Sequence, residues 1–187
     1  NMIASRSGLS ADFGPKPIPG ECGNGFHINM SLTNLDLKPL PYDSFMAGIL
    51  EHICEITAFL NPLEDSYKRL GEKKAPKYVT WSKENRSQLI RIPAAVGNHR
   101  RIELRSADCC TNPYLAFALL IHAGLDGMRR KLTPPKPLDI NLYNAGPDII
   151  KGLRTLPQSL EAARKAAKES ALVKAVIPEN ILKAYNI

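Results

Sequence analysis

Aromatic residues are scarce in this sequence, at 6% with a single tryptophan, and no run of five or six basic residues occurs. Without an RNA-binding aromatic signature or a basic tract, a nucleic-acid module falls well behind a site for anionic small molecules, even at a formal net charge of +7. The longest strongly apolar stretch, Tyr114 to Ile121, is far shorter than the roughly 18 residues a membrane span needs, and no signal-peptide pattern opens the chain. A soluble cytoplasmic protein is therefore expected, with no membrane and no nucleic-acid partner. Cysteine is limited to Cys22, Cys54, Cys109 and Cys110, with no C-x-x-C spacing; adjacent Cys109 and Cys110 are poor candidates for bonding each other, and free thiols are expected. What is present is a 44% hydrophobic content over 187 residues, enough to bury a core in one domain or a large part of one.

Amphipathic strands with polar faces dominate the pattern. In "RRIELRSAD", Ile102 and Leu104 fall on one face while Arg101, Glu103 and Arg105 fall on the other. Such a face is either a wet sheet surface, the commoner case for antiparallel sheets, or the wall of a polar cavity. "GNGFHINMSL" repeats the pattern, with Phe26, Ile28, Met30 and Leu32 alternating with His27, Asn29 and Ser31. Its G-x-G opens a strand and not a helix, so it fits close backbone approach to a ligand better than a dinucleotide turn. "KYVTWS" and "QLIRIPAA" read as two more strands.

Helices follow equally plain signals. Ser44 is placed to cap a helix whose Met46, Ile49, Ile53, Ile56 and Leu60 recur at spacings of three and four until Asn61 and Pro62 end it. Asn112 and Pro113 suit the cap and first position of a second helix, expected to be central and buried, with a basic end at "MRRKL". Ala-rich and Lys-rich helical segments are expected near 157–171 and 178–186. His52, Cys54, Glu51 and Glu55 look like a metal cluster but sit at the edge of the first helix, and His122 reads as a satisfied core histidine.

A histidine and a carboxylate on facing strands, His27 and Glu103, supply two donors for a divalent ion, an incomplete set unless others come from elsewhere. Taken alone, His27 reads more readily as an ordinary, partly exposed histidine than as a ligand. Arg69, Arg86, Arg91, Arg101 and Arg105 lie within or beside the strands; guanidinium forks bind carboxylate and phosphate oxygens in bidentate fashion, so the pattern points to anions.

"NPLEDSYKRL", "APKYVTWSKENRSQLIRIPAA", "RRIELRSAD" and "NPYLAFALLIHAGLDG", in this order and spacing and together with "GNGFHINMSL", resemble the catalytic domain of type I glutamine synthetases from about Lys16 to Tyr143. The resemblance implies an α+β fold in which antiparallel strands form part of a curved, barrel-like sheet with helices on its outer face. It implies ATP-dependent condensation of glutamate and ammonia through γ-glutamyl phosphate, with Mg2+ or Mn2+, in a ring-forming homo-oligomer. By position, His27 and Glu103 match metal ligands. Asn29, Ser31, Arg86, Arg91 and Arg101 match ATP contacts, and Gly23, Arg69, Arg86 and Arg105 match glutamate contacts. Arg105, Arg86 and Glu72 match catalytic roles, Glu72 as a substitute for a flap glutamate where this chain has Lys74. Tyr143 falls where some bacterial members are adenylylated, although locally it reads as an ordinary loop tyrosine.

Two further departures shape the expectation. Cys22 stands where an asparagine often contacts glutamate. The family's N-terminal β-grasp domain, and the early catalytic-domain segment that supplies other metal ligands, have no counterpart before Asn1, and the chain stops short of the usual C-terminal helices. Residues 1–187 are thus expected to be the C-terminal part of the catalytic domain, with a strand and helix core over 1–131, a loop over 132–150 and C-terminal helices over 151–187. Such a piece is expected to be inactive alone. Two rival readings stay open: a ligase joining glutamate to an organic amine, and a non-catalytic binding or assembly module of the same fold.

Overall fold

Asn112 caps a helix as its chemistry predicts: its side-chain oxygen accepts from the backbone N–H of Tyr114 at 3.0 Å, and Pro113 opens the helix without a wasted donor. The computed structural model describes residues 1–95 and 100–187. In chain order the elements are α1 (Met2–Arg6), β1 (Ile28–Met30), α2 (Asp43–Leu60), α3 (Glu64–Arg69), β2 (Trp81–Lys83), β3 (Ile90–Ile92), β4 (Ile102–Leu104), α4 (Pro113–Arg129), α5 (Pro147–Ile150), α6 (Leu160–Glu169), α7 (Ala171–Val176) and α8 (Glu179–Ala184). The chain is α+β, as expected.

The strands form an open sheet of order β1-β4-β3-β2. β1 and β3 both pair antiparallel with β4, but β2 runs parallel to β3, which corrects the expectation of a purely antiparallel sheet. The connection from Glu84 to Leu89 turns through a left-handed residue, Glu84 at φ 69°, and brings the chain back alongside β2 in the same direction. "KYVTWS" contributes to the sheet only from Trp81 onward; Tyr78 makes an isolated bridge to Thr155 instead.

Ile28, Ile90, Ile102 and Leu104, on one face of the sheet, join a continuous core with the buried stripe of α2. In that stripe Met46, Ile49, Ile53, Ile56 and Leu60 are fully buried, so the three-and-four spacing located the inward face correctly. The cap expected at Ser44 is not used: α2 starts at Asp43, with Tyr42 at the N-cap and no side-chain cap bond.

α4 is not the central buried helix its composition predicts. It turns small residues toward α2, where Gly48 and Gly127 meet so closely that a Cβ on Gly127 would lie 2.2 Å from Ser44 O and 2.6 Å from Gly48 Cα. Close helix approach selects the small residues for the seam and leaves bulky ones outside: Tyr114, Phe117, Ile121 and Leu125 are exposed. His122 is exposed as well, not a core histidine. The C-terminal helical segments form α6, α7 and α8, with Ala163, Ala167 and Val173 in the same core.

Candidate functional site

Register places the polar residues side by side. Asn29 of β1 and Arg91 of β3 both stand opposite Glu103 of β4, and His27, one residue ahead of β1, shares the parity of Asn29. Glu103 and Arg105 are buried, so the charged strand face lines a cavity and is not a wet surface. The cavity has a volume of about 440 Å3. Glu103 is the sole carboxylate among its lining residues, against six cations: Arg69, Arg86, Arg91 and Arg105 with Lys73 and Lys74.

Glu103 sits at the centre of the charges. Its Oε2 accepts from Arg91 Nη1 at 3.1 Å and Arg105 Nη1 at 3.3 Å, and its Oε1 lies 3.2 Å from His27 Nδ1. Burial pushes the carboxyl up, but the Arg91 hydrogen bond and the charges of Arg105, His27 and Arg91 outweigh it and hold Glu103 below its usual value. At His27, burial and the neighbouring Arg105 depress the imidazole, against the pull of Glu103. A neutral ring with its Nδ1 proton turned to Glu103 leaves the Nε2 lone pair free, which is the state a metal-binding histidine needs. This proton assignment also explains why the approach of Arg105 Nη1 to the same nitrogen, at 3.4 Å, is the longer of the two.

The other arginines are held differently. Arg69, the last residue of α3, spends its fork on the end of β4: Nη1 donates to Ser106 O at 2.7 Å and Nη2 to Arg105 O at 3.2 Å. Burial lowers it, with the charge of Asp108 opposing. A Cβ on Gly25 would sit 2.8 Å from Arg69 Nη2 and 3.1 Å from His27 Nε2, so this glycine of "GNG" makes room for both side chains. Arg105 ties three segments together, donating through Nε to Arg86 O at 3.1 Å and through Nη2 to Lys74 O at 3.3 Å as well as to Glu103. Lys74 itself adopts φ 65° and lines the cavity. Lys73 is the lining residue that sequence reasoning passes over, since nothing in a lysine beside a lysine distinguishes a cavity rim from a solvated loop.

Several expected contacts lie elsewhere. Gly23 and Cys22 line the cavity, but Asn29, Ser31, Arg101 and Glu72 do not. Asn29 remains on the same face, where its Oδ1 accepts from Arg101 Nε at 3.1 Å. Ser31 is exposed beside Asp43 and Arg100 because β1 ends at Met30 and its alternation does not continue. Glu72 lines a neighbouring cavity of about 430 Å3 with Tyr78, Ser87 and Tyr143, at a turn that Ala75 N closes on Glu72 O. His27 and Glu103 have donor chemistry suited to a divalent cation, but among the described residues no group of three or more His, Cys, Asp or Glu could hold a metal. His52 and its neighbours form hydrogen bonds instead of such a group.

A cavity with six cations around one ionised carboxylate and one neutral imidazole has the chemistry of an anion-binding site. Residues 1–186 match the family model described as glutamine synthetase, catalytic domain, and the chain belongs to that family. The match is wider than the stretch in which the sequence motifs lie. The chain is 42% identical to a glutamine synthetase of Methanosarcina mazei and 39% identical to one of Staphylococcus aureus, in each case over 98% of the chain and 44% of the relative. Among solved structures it resembles a GmaS/ADP complex, with TM-score 0.86, 30% identity and coverage of 98% of this chain and 45% of the other. Apo GmaS gives TM-score 0.85 and 31% identity, with coverage of 98% and 44%. The chain thus spans under half the length of the relatives it matches. Among the described residues no helix is long and apolar enough to cross a membrane.

Proposed function

We propose that the protein carrying this chain condenses glutamate with ammonia at the expense of ATP. The γ-phosphoryl group passes to the side-chain carboxylate, releasing ADP; ammonia then attacks the acyl carbon, loses a proton and expels phosphate, giving glutamine. The observation that carries this reading is the single cavity in which Glu103, His27 and the Arg69, Arg86, Arg91 and Arg105 guanidiniums converge. Family membership and the ADP named with a structural neighbour support nucleotide use.

Within the cavity, Arg91 and Arg86 orient phosphate oxygens, with Arg101 and Asn29 at the outer part of the same sheet face. Arg105, Arg69 and the backbone at Gly23 face the glutamate. His27 Nε2 and Glu103 are two donors to Mg2+ or Mn2+, with the rest supplied from outside these residues. A cation held there would supply neutralisation of phosphate charge. The chain acts as part of the catalytic domain of a cytoplasmic, ring-forming homo-oligomer and needs the remainder of that domain for turnover.

Phosphate release by the intact protein, with ATP, glutamate and ammonium, tests the reading. Omission of glutamate or ammonium abolishes release, and Arg105→Lys lowers kcat/KM at least about a hundredfold, because a lysine ammonium cannot make three separate contacts in fixed directions. Glutamate-independent release would overturn it. Lys74 favours a second reading, an organic amine in place of ammonia, since its ammonium lines the cavity with no carboxylate paired to it among the described residues. Comparing ammonium with primary amines as the limiting substrate decides between the two.

A further inference from the structure

The segment from Pro135 to Tyr143, expected only as loop, is laid along the β2–β3 connection as a ladder of hydrogen bonds. Trp81 Nε1 donates to Pro135 O at 2.7 Å, and Leu138 N donates to Trp81 O at 2.9 Å. Lys83 N donates to Asp139 Oδ1 at 3.2 Å and Gln88 Nε2 to Ile140 O at 2.9 Å. Leu142 N then donates to Ser87 Oγ at 2.9 Å. The last rung is Tyr143, whose hydroxyl donates to the carbonyl of Arg86 at 3.0 Å. Nothing in the sequence marks this strap, because its rungs connect residues more than fifty positions apart.

Arg86 is the point of interest. Arg91 and Arg105 are paired with Glu103, and Arg69 is committed to two carbonyls. The Arg86 guanidinium, in contrast, makes no hydrogen bond or ion pair among the described residues, although it lines the cavity with them. It is therefore the arginine with its whole fork available to a bound anion, and no side-chain partner aims it. Its backbone does: the Arg86 carbonyl accepts from Arg105 Nε at 3.1 Å on the cavity side and from the Tyr143 hydroxyl on the side of the neighbouring cavity. A carbonyl has two acceptor directions, and both are used. Burial pushes the Tyr143 phenol up, against the charge of Arg105 and a hydrogen bond from the Arg105 side chain, so the hydroxyl keeps the proton it donates to Arg86 O while its oxygen also meets Arg105.

We infer that Tyr143 is a positioning residue that sets the Arg86 backbone so that its free guanidinium meets a phosphate or carboxylate oxygen of the substrates. The inference rests on the proposed ligase reading for the identity of those substrates, but the geometry behind it concerns anion binding alone. Replacing Tyr143 with phenylalanine keeps the ring and removes one donor. The Arg86 loop then keeps only the Arg105 hold on that carbonyl, and the fork loses its fixed direction. The effect belongs to binding of the anion that Arg86 meets, not to folding.

A double-mutant cycle tests this. In the intact protein, Tyr143→Phe, Arg86→Ala and the double variant are compared with wild type for the KM of ATP, the KM of glutamate and kcat, and for binding of inorganic tripolyphosphate by calorimetry. Tyr143→Phe is expected to raise one anion's KM, or weaken tripolyphosphate binding, by about fivefold, in keeping with one lost hydrogen bond, while kcat falls less than KM rises. Arg86→Ala raises the same constant further, and the double variant is no worse than Arg86→Ala alone. Tyr114→Phe, on the exposed face of α4, is the control for loss of a phenol elsewhere. Independent, additive losses from Tyr143→Phe and Arg86→Ala would overturn the inference, as would an equal weakening of all constants accompanied by a lowered Tm. Wild-type protein that binds tripolyphosphate with this coupling but never turns over glutamate would sink the ligase reading and leave the positioning role standing.

Discussion

Two histidines of this molecule each lie against a carboxylate, yet their surroundings give them opposite behaviour. His27 Nδ1 is 3.2 Å from Glu103 in a cavity crowded with guanidinium groups, and burial with the Arg105 charge lowers its pKa. His52 has Glu55 3.0 Å from Nδ1 and Asp126 3.0 Å from Nε2. There burial also works against the charge, but hydrogen bonds to the two carboxylates outweigh it and the pKa is raised. The first ring is kept neutral with a lone pair to spare, which is a ligand's condition. The second holds its charge to higher pH than an ordinary histidine and, when charged, has both N–H groups engaged, which is a clasp: Glu55 also receives Ser170 Oγ, and Ser170 caps α7 by accepting from Val173 N at 3.1 Å. The clasp therefore fastens α2 to α4 and to the start of α7. A histidine beside an acid says little until the next shell of charge is counted.

The contrast can be broken most severely on the cavity side. Glu103→Ala removes the only carboxylate that, among the described residues, pairs with Arg91 and Arg105 and leaves two guanidiniums repelling each other on the cavity face. The expected cost is about 3–5 kcal/mol in urea unfolding, the range for breaking a buried ion pair from one side. Glu103→Gln, which restores the shape but not the charge, is expected to recover part of it. A cost below about 1 kcal/mol for the alanine variant would mean that the cavity relaxes and that Glu103 does not organise it.

Next comes the seam on which the clasp is mounted. Gly127→Ala forces a Cβ against Ser44 O and the Gly48 backbone, neither of which can yield as a side-chain tip can. Helix separation is expected to cost about 1–3 kcal/mol and to pull Asp126 away from His52. The variant is expected to lose the pH-dependent part of stability described next while leaving tripolyphosphate affinity near that of wild type, because the seam lies on the apolar side of the sheet. Loss of anion affinity in parallel with stability would show that the two regions are not mechanically separate.

The sign of the pH effect follows from the direction of the shift. His52 has a folded pKa above its ordinary 6.5, so its contribution is present in full below that ordinary value and is lost as pH rises through the raised folded one. A deprotonated ring has one N–H for two carboxylates, and one of them then faces a lone pair. The stability difference between wild type and His52→Gln is expected to be about 1–2 kcal/mol at pH 6 and to shrink toward pH 9 in paired urea titrations. A difference that widened with pH would contradict the assignment of His52 as a cation.

These regions also differ in how far they could be read from the chain. Local patterns identified faces: the alternation around Glu103 separated core from polar side, the spacing in α2 found its buried stripe, and Asn112–Pro113 marked a helix start that the structure reproduces. Patterns did not identify partners. Arg69 and Arg86 look alike in sequence, but one is tied to two carbonyls and the guanidinium of the other has no partner among the described residues, a difference set by contacts from β4 and from a strap beginning some fifty residues later. His52 reads as no more than a helix edge in the sequence because its second carboxylate, Asp126, is 74 residues away. His122 reads as a core residue because α4 is apolar overall; the closest approach to α2 is made at Gly124 and Gly127, a choice dictated by helix distance and invisible to hydropathy. The resemblance to a family brought His27 and Glu103 together on paper, but it could not show that Glu72 turns into a different cavity.

The smallest expected effect lies at the edge of the clasp. Arg130 Nη1 donates to Asp126 Oδ2 at 2.9 Å, one helical turn along α4, and its side chain is 49% exposed. If His52 owes its charge to Asp126, then Arg130 competes for the same oxygen and also screens it. Removing it by Arg130→Ala is expected to cost no more than about 0.3–0.5 kcal/mol, the usual value of an exposed helical pair, and that cost is expected to disappear in high salt. At the same time it frees Asp126 to bind the imidazolium more strongly, so the His52 titration, followed by NMR of its ring protons, should move to higher pH. Glu103 allows no such trade, because both of its guanidinium partners are held on a buried face. A His52 titration that moves down, or does not move, would mean that Asp126 answers mainly to Arg130 and that Glu55 alone charges the ring.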